Sequence, residues 1–425
     1  MKPADGSKRL LITDIGMLTT PVGNSAKRGK CQSDVKILHD AWILCEGNMI
    51  ADIGEGRPVA EGNVATVSAC NCLVTPGLVD AHTHLVFGGW RQNEFGLKLH
   101  GVGYLDILRS GGGILSTVSS TRNASHNELM KKGLHTLDVM LKLGTTTVEA
   151  KSGYGLNLDD EVKLLAVISE LNGSHPIDLV PTFMGAHAVP PEYKDDRSGY
   201  VDFMVKEVIP AVAAGNMAEF CDVFCESNVF DVEESRTILE CAKSYGLGLK
   251  LHADEITCLG GAQLAAEIGA TSAEHLLQSD DAGLEALASS GTVAVCLPTT
   301  SFYLGESYAR ARKMIDVGIP VAVATDFNPG STPNENLQLA MNLACLKYGM
   351  TPEEVLTAVT LNAAAAINRA SDIGSIEVGK AADMVIWQSP DLNYLFYHYG
   401  TNLAGKVIKR GEVVCNRGFG YFGQQ

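Results

Sequence analysis

The segment TPGLVDAHTHL, residues 75–85, carries two histidines separated by one residue at the end of an apolar run. In an extended strand, side chains two residues apart point to the same face, so His82 and His84 would lie side by side. One buried histidine is common in protein cores, but each ring of a buried pair needs a partner, because an unpaired polar group costs free energy. A metal ion would satisfy both rings, and the segment therefore predicts a strand that ends at a metal site.

From Pro76 onward, apolar runs typical of buried strands alternate with helical patterns. With GLVDAHTHL included, eight strand candidates occur, among them CDVFCESN, GLGLKLHADE and PVAVATDFN. Repeated strand–helix units indicate a parallel sheet, and eight of them favour a closed (β/α)8 barrel of the TIM type. We expect this barrel to be the catalytic domain and to span residues 76–376, with TPEEVLTAVTLNAAAAINRA as its last helix.

Short β segments come before and after the predicted barrel. Residues 8–74 contain strand-like runs interrupted by Asp, Gly and Asn, as in hairpins, and the same pattern returns in GSIEVGKAADMVIWQ and AGKVIKRGEVVCNRG. The predicted fold class is therefore α/β. It consists of a TIM-type barrel inserted into a small, discontinuous β-sandwich domain formed by residues 1–75 and 377–425.

Composition limits the possible partners. The 33 basic and 49 acidic residues give a net charge of −16, which argues against a surface for nucleic acid or for an anionic membrane, since both need basic side chains. A small anionic substrate stays compatible with this charge. The 11 scattered cysteines include no CxxC pair, which predicts buried, reduced thiols that pack as small apolar side chains. Because the N-terminus lacks the pattern of a signal peptide, we expect a soluble, cytoplasmic protein.

Further chemically versatile residues fall at the ends of predicted barrel strands: His187 in TFMGAH, His252 in LKLHADE, His275 in SAEH and Asp326 in VAVATD. Barrel enzymes place their catalytic groups at the carboxyl ends of several strands. Any one of these residues alone could be structural, but the set points to a shared site.

A metal site and two further groups follow from this placement. Three imidazoles and a carboxylate suit Zn²⁺ or Fe²⁺, and the predicted ligands are His82, His84, His252 and Asp326. Such an ion lowers the pKa of a bound water to about 7. Glu255 follows His252 by three residues and could move protons, although it could also be a solvated loop residue. His275 could polarise a carbonyl, or it could be a buried structural histidine whose ring nitrogens are hydrogen-bonded.

The motifs AHTH, KLHADE, AEH and VATDFNPG resemble, in order, those of the amidohydrolase superfamily, in which such residues surround one or two metal ions. The two-metal members use a carboxylated lysine at the end of the fourth strand. Here that strand ends at Cys225 and Glu226, and Lys151 lies two strands earlier. This departure favours one divalent ion per chain, Zn²⁺ or Fe²⁺/Fe³⁺.

A closer resemblance is to the imidazolonepropionase family. It rests on PGLVDAHTHLVFGG, GGGILSTV, EAKSGYGL, FMGAHAVPPEY, TSAEHLL, ATDFNPGS and YHYG, which extend over nearly the whole chain. The resemblance implies hydrolysis of the cyclic amide of 4-imidazolone-5-propanoate to N-formimidoyl-L-glutamate in histidine degradation, and a homodimer. It also implies that Glu255, His275 and Asp326 share proton transfer and carbonyl polarisation.

A propionate tail on the substrate would need a cationic partner. Arginine matches a carboxylate best, because its planar fork donates two parallel hydrogen bonds, and Arg91 in the loop after the first barrel strand is the candidate. Without the family resemblance, Arg91 could equally be a surface residue. The other predicted substrate-binding residues are Tyr154, His187, Glu255, Asn328, Gly330 and Ser331.

Two rival functions remain at this point. HADE also resembles cytosine and guanine deaminases, but a nucleobase needs amide-like partners and no cation, whereas a propionate needs Arg91. A catalytically inactive relative, like the non-enzymatic relatives of dihydropyrimidinase, would be expected to lose metal ligands, and this chain keeps all four predicted ones.

Overall fold

The structure is a computed structural model that describes residues 8–58, 63–101 and 112–418. Its strands form one sheet of eight strands and one of seven. In chain order they are β1 (Arg9–Pro21), β2 (Val35–Glu46), β3 (Met49–Glu55), β4 (Ala65–Pro76), β5 (Leu78–Thr83), β6 (Thr145–Lys151), β7 (Asp178–Ala186), β8 (Phe220–Cys225), β9 (Gly248–Ala253), β10 (Ser272–His275), β11 (Val293–Cys296), β12 (Val321–Val323), β13 (Met384–Trp387), β14 (Ala404–Lys409) and β15 (Glu412–Asn416).

The helices of the described ranges connect and cover these strands. They are α1 (Gln92–Leu99), α2 (Ile114–Asn123), α3 (His126–Lys142), α4 (Leu158–Ser174), α5 (Arg197–Phe203), α6 (Ile209–Ala214), α7 (Val232–Ser244), α8 (Gly261–Ile268), α9 (Asp281–Ser290), α10 (Pro298–Leu304), α11 (Ala311–Asp316), α12 (Leu337–Tyr348), α13 (Pro352–Ala358), α14 (Leu361–Ala365) and α15 (Leu392–Tyr397). Short 3₁₀ turns lie at Gly29–Ser33 and Pro191–Tyr193, and a π-helical turn, Met204–Val208, joins α5 to α6.

The eight-stranded sheet is a barrel. Strands β5 to β12 follow one another in chain order, and each neighbouring pair is parallel. Beyond β12, the Asp326 N–H donates to the His82 carbonyl at 3.1 Å, and the His84 N–H donates to the Phe327 carbonyl at 2.9 Å. These bonds join the last strand region to the first. The predicted eight-stranded parallel barrel is confirmed.

The barrel strands are short and buried on both faces, as strands covered by helices must be. Every residue of β5, β6, β10, β11 and β12 is buried. Charged side chains nevertheless lie completely buried on these strands, namely Glu149, Lys151, Asp222, Lys250 and Glu274. The two lysines form ion pairs with all three carboxylates: Lys151 pairs with Glu149 and Asp222, and Lys250 pairs with Glu274.

The second sheet combines both ends of the chain, as predicted. Its strand order is β15-β14-β13-β4-β1-β2-β3, so β13, from the C-terminal part, pairs with β4. The Trp387 indole N–H donates to Thr75 Oγ1 at 2.8 Å across this pair. The Lys409 ammonium lies 2.6 Å from Asp383 Oδ2 and 2.7 Å from Asp178 Oδ2 at the start of β7, so it ties the sheet to the barrel.

The junction between the two sheets is a single residue. Strand β4 ends at Pro76 and β5 begins at Leu78, and a β-carbon on the intervening Gly77 would overlap the Thr146 side chain. Only glycine allows this close approach. The predicted domain boundaries near residues 76 and 376 stay a prediction.

The single helix predicted from TPEEVLTAVTLNAAAAINRA is wrong. Thr360, with φ −128° and ψ −89°, separates α13 from α14. The break turns the Asn362 amide towards two other segments: it accepts from the Lys27 N–H at 2.7 Å and donates to the Lys27 and Val321 carbonyls at 2.9 Å. Satisfying these backbone groups overrides the high helix propensity of the alanines.

Two further expectations from the sequence concern the cysteines and the helices. All 11 cysteines are free thiols, but only five of them are buried, so the expectation of buried thiols holds for fewer than half. Within the described ranges, no helix combines the length and apolar character needed to cross a membrane.

Candidate active site

A cavity of about 600 Å³ opens where the barrel strands end. It brings together most of the residues that the sequence predicts for the site: His84, Arg91, Tyr154, His187, His252, Glu255, His275, Asp326, Asn328, Gly330 and Ser331. The remaining predicted residue, His82, is completely buried, and its ring centroid lies 4.6 Å from that of His252.

The four predicted metal ligands converge. Asp326 Oδ1 lies 3.4 Å from His82 Nε2 and 3.6 Å from His84 Nε2, and His84 Nε2 faces His252 Nε2 at 3.4 Å. Among the described residues, neither ring nitrogen of His82 has a hydrogen-bond partner, although both are buried. Converging donors with unpaired buried nitrogens fit a cation, and three imidazoles with a carboxylate suit a divalent metal ion.

Burial keeps His82, His84 and His275 in the neutral form that can bind a metal ion, whereas the Asp222 carboxylate outweighs desolvation and raises the pKa of His252. Desolvation lowers the pKa of His82, His84 and His275 well below the usual histidine value. A neutral imidazole has a free lone pair for a metal, whereas the protonated ring has none.

His275 lies close enough to compete as a ligand. Its ring nitrogen groups with those of His82 and His252, while His82, His84 and Asp326 form a second overlapping group. His275 also faces Glu255, with 3.6 Å between His275 Nε2 and Glu255 Oε2.

A third group of potential metal ligands consists of Asp222, His252 and Glu274. The ammonium groups of Lys151 and Lys250 already contact its two carboxylates, at 2.8 Å and 3.2 Å. These lysines already supply positive charge to both carboxylates.

Backbone strain accompanies two of the site residues. His275 and Asp326 have φ of 69° and 55°, a left-handed conformation that is uncommon outside glycine and that clusters at functional sites. The sequence predicts Asp326 at the end of a strand. In the structure, β12 ends at Val323, three residues before Asp326. Its Oδ2 accepts from the Thr300 hydroxyl at 2.7 Å, and burial raises the pKa of Asp326 to about 6.

Glu255 is held at the cavity by the turn that follows β9. The neighbouring Asp254 carboxylate accepts backbone N–H groups of residues 259–262 and the Ser279 hydroxyl, which fixes this turn. Burial, followed by the negative charge of Asp326, raises the pKa of Glu255 to about 8. A carboxyl group with this pKa is protonated at neutral pH and can act as an acid.

Arg91 also lines the cavity, beside the loop after β12. Its Nη2 and Nε hold the Glu94 carboxylate at 2.8–3.1 Å. A β-carbon on Gly330 would overlap Arg91 Nη1, so the guanidinium lies directly against that glycine. The side-chain oxygen Oδ1 of Asn328 accepts the N–H groups of Gly330 and Ser331 at 2.8 Å and thereby shapes the loop.

Aromatic rings form the side of the cavity near His84. The His187 ring stacks on the His84 ring with centroids 4.8 Å apart and planes at 17°, and the Tyr154 ring centroid lies 5.2 Å from that of His187. Phe224 also lines the cavity, 5.8 Å from His252. Sequence reasoning missed Phe224, Thr300 and Asp222, since no motif distinguishes them from other strand and helix residues.

Residues 226–414 match the amidohydrolase family. Guanine deaminase from E. coli superposes with a TM-score of 0.73 over 97% of this chain and 100% of that chain, at 15% identity. Atrazine chlorohydrolase TrzN from Arthrobacter aurescens, complexed with zinc, does so with a TM-score of 0.69 over 96% and 95%, at 17% identity. These two likenesses show the fold alone. With the family match and the histidine–aspartate cluster, the barrel defines a hydrolase of the amidohydrolase class that uses a divalent metal ion.

A curated protein of Alkaliphilus metalliredigens named imidazolonepropionase is 53% identical over 415 residues, which cover 96% of this chain and 98% of that protein. A second, from Fusobacterium nucleatum, is 51% identical over 96% of this chain and 99% of its own length. This chain belongs to the imidazolonepropionase family, which confirms the resemblance seen in its motifs.

Proposed function

We propose that this enzyme hydrolyses the cyclic amide of 4-imidazolone-5-propanoate to N-formimidoyl-L-glutamate. The observation that carries the proposal is the cavity itself, because three of the predicted ligands (His84, His252 and Asp326) and Arg91 line the same space. The relatives named imidazolonepropionase support this substrate over other cyclic amides. A nucleobase deaminase would have no use for the arginine.

The ion in this proposal is held by His82, His84, His252 and Asp326. When bound, it supplies an activated water at neutral pH and polarises the ring carbonyl. The ligand set suits Zn²⁺ and Fe²⁺ alike, and metal analysis of the purified protein distinguishes the two.

Asp326, Glu255 and His275 take part in the reaction itself. Water adds to the ring carbonyl carbon, the C–N bond breaks, and the leaving nitrogen takes up a proton. Asp326 accepts the proton of the attacking water. Glu255, protonated at neutral pH, donates to the leaving nitrogen, and His275 beside it stabilises the carbonyl oxygen as its charge develops.

The residues that line the cavity indicate how the substrate is positioned. Arg91 binds the propionate, with the Gly330–Ser331 backbone and the Ser331 hydroxyl beside it. Tyr154 and His187 contact the imidazolone ring. A volume of about 600 Å³ is ample for a substrate of this size.

The test is an assay of purified protein with freshly generated 4-imidazolone-5-propanoate, which follows the loss of its ultraviolet absorbance. We expect turnover to formimidoylglutamate, its loss on chelation, and its return when Zn²⁺ or Fe²⁺ is added back. No turnover by metal-replete protein, together with ammonia release from guanine or cytosine, would replace the proposal with deamination.

A further inference from the structure

Beneath the ligand cluster, the barrel interior holds a connected set of buried charges. The Lys151 ammonium on β6 lies 2.8 Å from Glu149 Oε1 on the same strand and 2.8 Å from Asp222 Oδ2 on β8. All three side chains are completely buried. An unpaired charge at this depth would be costly, so each group depends on the others.

The second oxygen of Asp222 reaches His252 on the neighbouring strand. Asp222 Oδ1 lies 3.0 Å from His252 Nδ1 and 3.2 Å from the His252 backbone nitrogen, whose N–H it accepts. Strands β8 and β9 are paired in parallel, with Phe224 opposite His252. Asp222 therefore contacts both the ring and the main chain of one candidate ligand.

This contact fixes which nitrogen of His252 is free. A carboxylate only accepts hydrogen bonds, so His252 Nδ1 must carry a proton, and in the neutral ring Nε2 is then the nitrogen with the lone pair. His252 Nε2 is the atom that faces His84 Nε2 at 3.4 Å. A carboxylate that holds the far side of a ligating histidine also restricts rotation of the ring.

We propose that Asp222 and Lys151 are positioning residues for the metal site. Asp222 fixes the tautomer and the ring orientation of His252, and Lys151 holds Asp222 in place through their ion pair, which offsets part of the buried negative charge. The inference rests on the metal site of the proposed function but not on the substrate.

A purely structural role for this charge cluster is the alternative, and the barrel contains a matched control. Lys250 is also completely buried and lies 3.2 Å from Glu274 Oε1, 2.6 Å from Ser272 Oγ and 3.0 Å from the Ala366 carbonyl. None of these contacts involves an imidazole. Its removal deletes a buried charge whose direct contacts include no candidate ligand.

The experiment compares Asp222→Asn, Lys151→Met and Lys250→Met with the wild-type full-length protein. Zn²⁺ affinity is measured by competition with a chromophoric chelator, and the visible spectrum of the Co²⁺-loaded protein reports ligand geometry. We expect Asp222→Asn to weaken Zn²⁺ binding roughly 10–100-fold and to alter the Co²⁺ spectrum. Lys151→Met should change both in the same direction, and Lys250→Met should leave affinity within about twofold.

Two results would overturn the inference. One is a folded Asp222→Asn protein with wild-type Zn²⁺ affinity and Co²⁺ spectrum. The other is equal weakening by Lys250→Met, which would make the effect a general consequence of lost buried charge. Because both measurements use the metal alone, a failed substrate assay would not affect them.

If Asp222→Asn does not fold, ¹⁵N NMR of the histidine rings in Zn²⁺-loaded wild-type protein decides the question, with His252→Gln for assignment. A proton on His252 Nδ1, protected from exchange, is expected. A proton on Nε2 would contradict the proposal.

Discussion

Arg91 is the residue on which substrate choice depends in the proposed function. Replacing it by Met should raise KM and weaken substrate binding by about 2–5 kcal/mol, because the carboxylate of a bound propionate would lose its buried partner. The change should affect kcat less, since Arg91 is proposed to contact the tail and not the ring. Steady-state kinetics test this, with Arg310→Met as control: Arg310 pairs with Asp281 and does not line the cavity. An unchanged KM for Arg91→Met would mean that another group binds the carboxylate.

Asp254 stabilises the turn that carries Glu255. In Asp254→Asn, the amide NH₂ must replace one of the two oxygens that accept backbone N–H groups. Two hydrogen-bond donors, the amide NH₂ and a backbone N–H, would then face each other. We expect the free energy of unfolding to fall by about 2 kcal/mol, measured by urea denaturation. Asp280→Asn is the matched control at the start of α9, and its stability should barely change, because Asn caps a helix as well as Asp. Similar losses in both variants would show that the Asp254 turn has no special role.

Single residues show what the sequence could and could not predict. The histidines and Asp326 were predictable because strand ends meet at one rim of a parallel barrel, so residues far apart in sequence share a site. Asp222 was not predictable: CDVFC does not reveal that its carboxylate lies beside His252, since that contact depends on strand register. Asn328 lines the cavity as predicted, but its side chain is already bonded to its own loop, which no composition rule anticipates.

Helix α3 packs against the loop between β5 and α1 through Lys132. The ammonium lies 3.4 Å from the centre of the Phe87 ring and 4.0 Å from that of Trp90, and it donates to the Gly89 carbonyl. Burial lowers the pKa of Lys132 to about 7. Above pH 7 the unfolded state therefore binds more protons than the folded state, so this group makes stability rise with pH up to its unfolded pKa near 10.5.

The corresponding prediction compares Lys132→Met with wild type in urea denaturation from pH 7 to pH 10. The rise in wild-type stability relative to Lys132→Met should be clear over this interval. Lys131→Met, which alters the exposed neighbouring lysine, should keep the wild-type slope. Parallel curves for wild type and Lys132→Met would show that Lys132 titrates normally.

The number and order of barrel strands were predictable because each strand–helix unit repeats the same pattern. The break between α13 and α14 was not, because it depends on the partners of Asn362 in two distant segments. Local propensity describes a segment by itself, whereas its final course depends on backbone groups that other segments leave unpaired.

On the scale of the molecule, the proposed ion connects the first barrel strand, the fifth, and the segment after the eighth. An ion that binds only the folded state stabilises it by RT ln(1 + [L]/Kd), about 2.7 kcal/mol at a concentration one hundred times Kd. We expect chelation to lower the Tm, measured by calorimetry at fixed protein concentration. His252→Ala should lose activity and bound metal, remain folded, and show no further decrease on chelation.

The control for that measurement is His126→Ala, which alters a surface histidine paired with Glu170. It should retain the full decrease in Tm on chelation. A His252→Ala protein that keeps its metal and its activity would remove His252 from the site.

The pairing of β13 with β4 imposes an order of events during synthesis. More than 300 residues separate Pro76 at the end of β4 from Met384 at the start of β13. At roughly 5–20 residues per second, a ribosome needs about 15–60 s to deliver that partner strand. Throughout this interval one edge of β4 has no neighbour on the nascent chain, and unpaired strand edges promote aggregation. Until the last strands emerge, the nascent chain therefore exposes a strand edge that can associate with other chains.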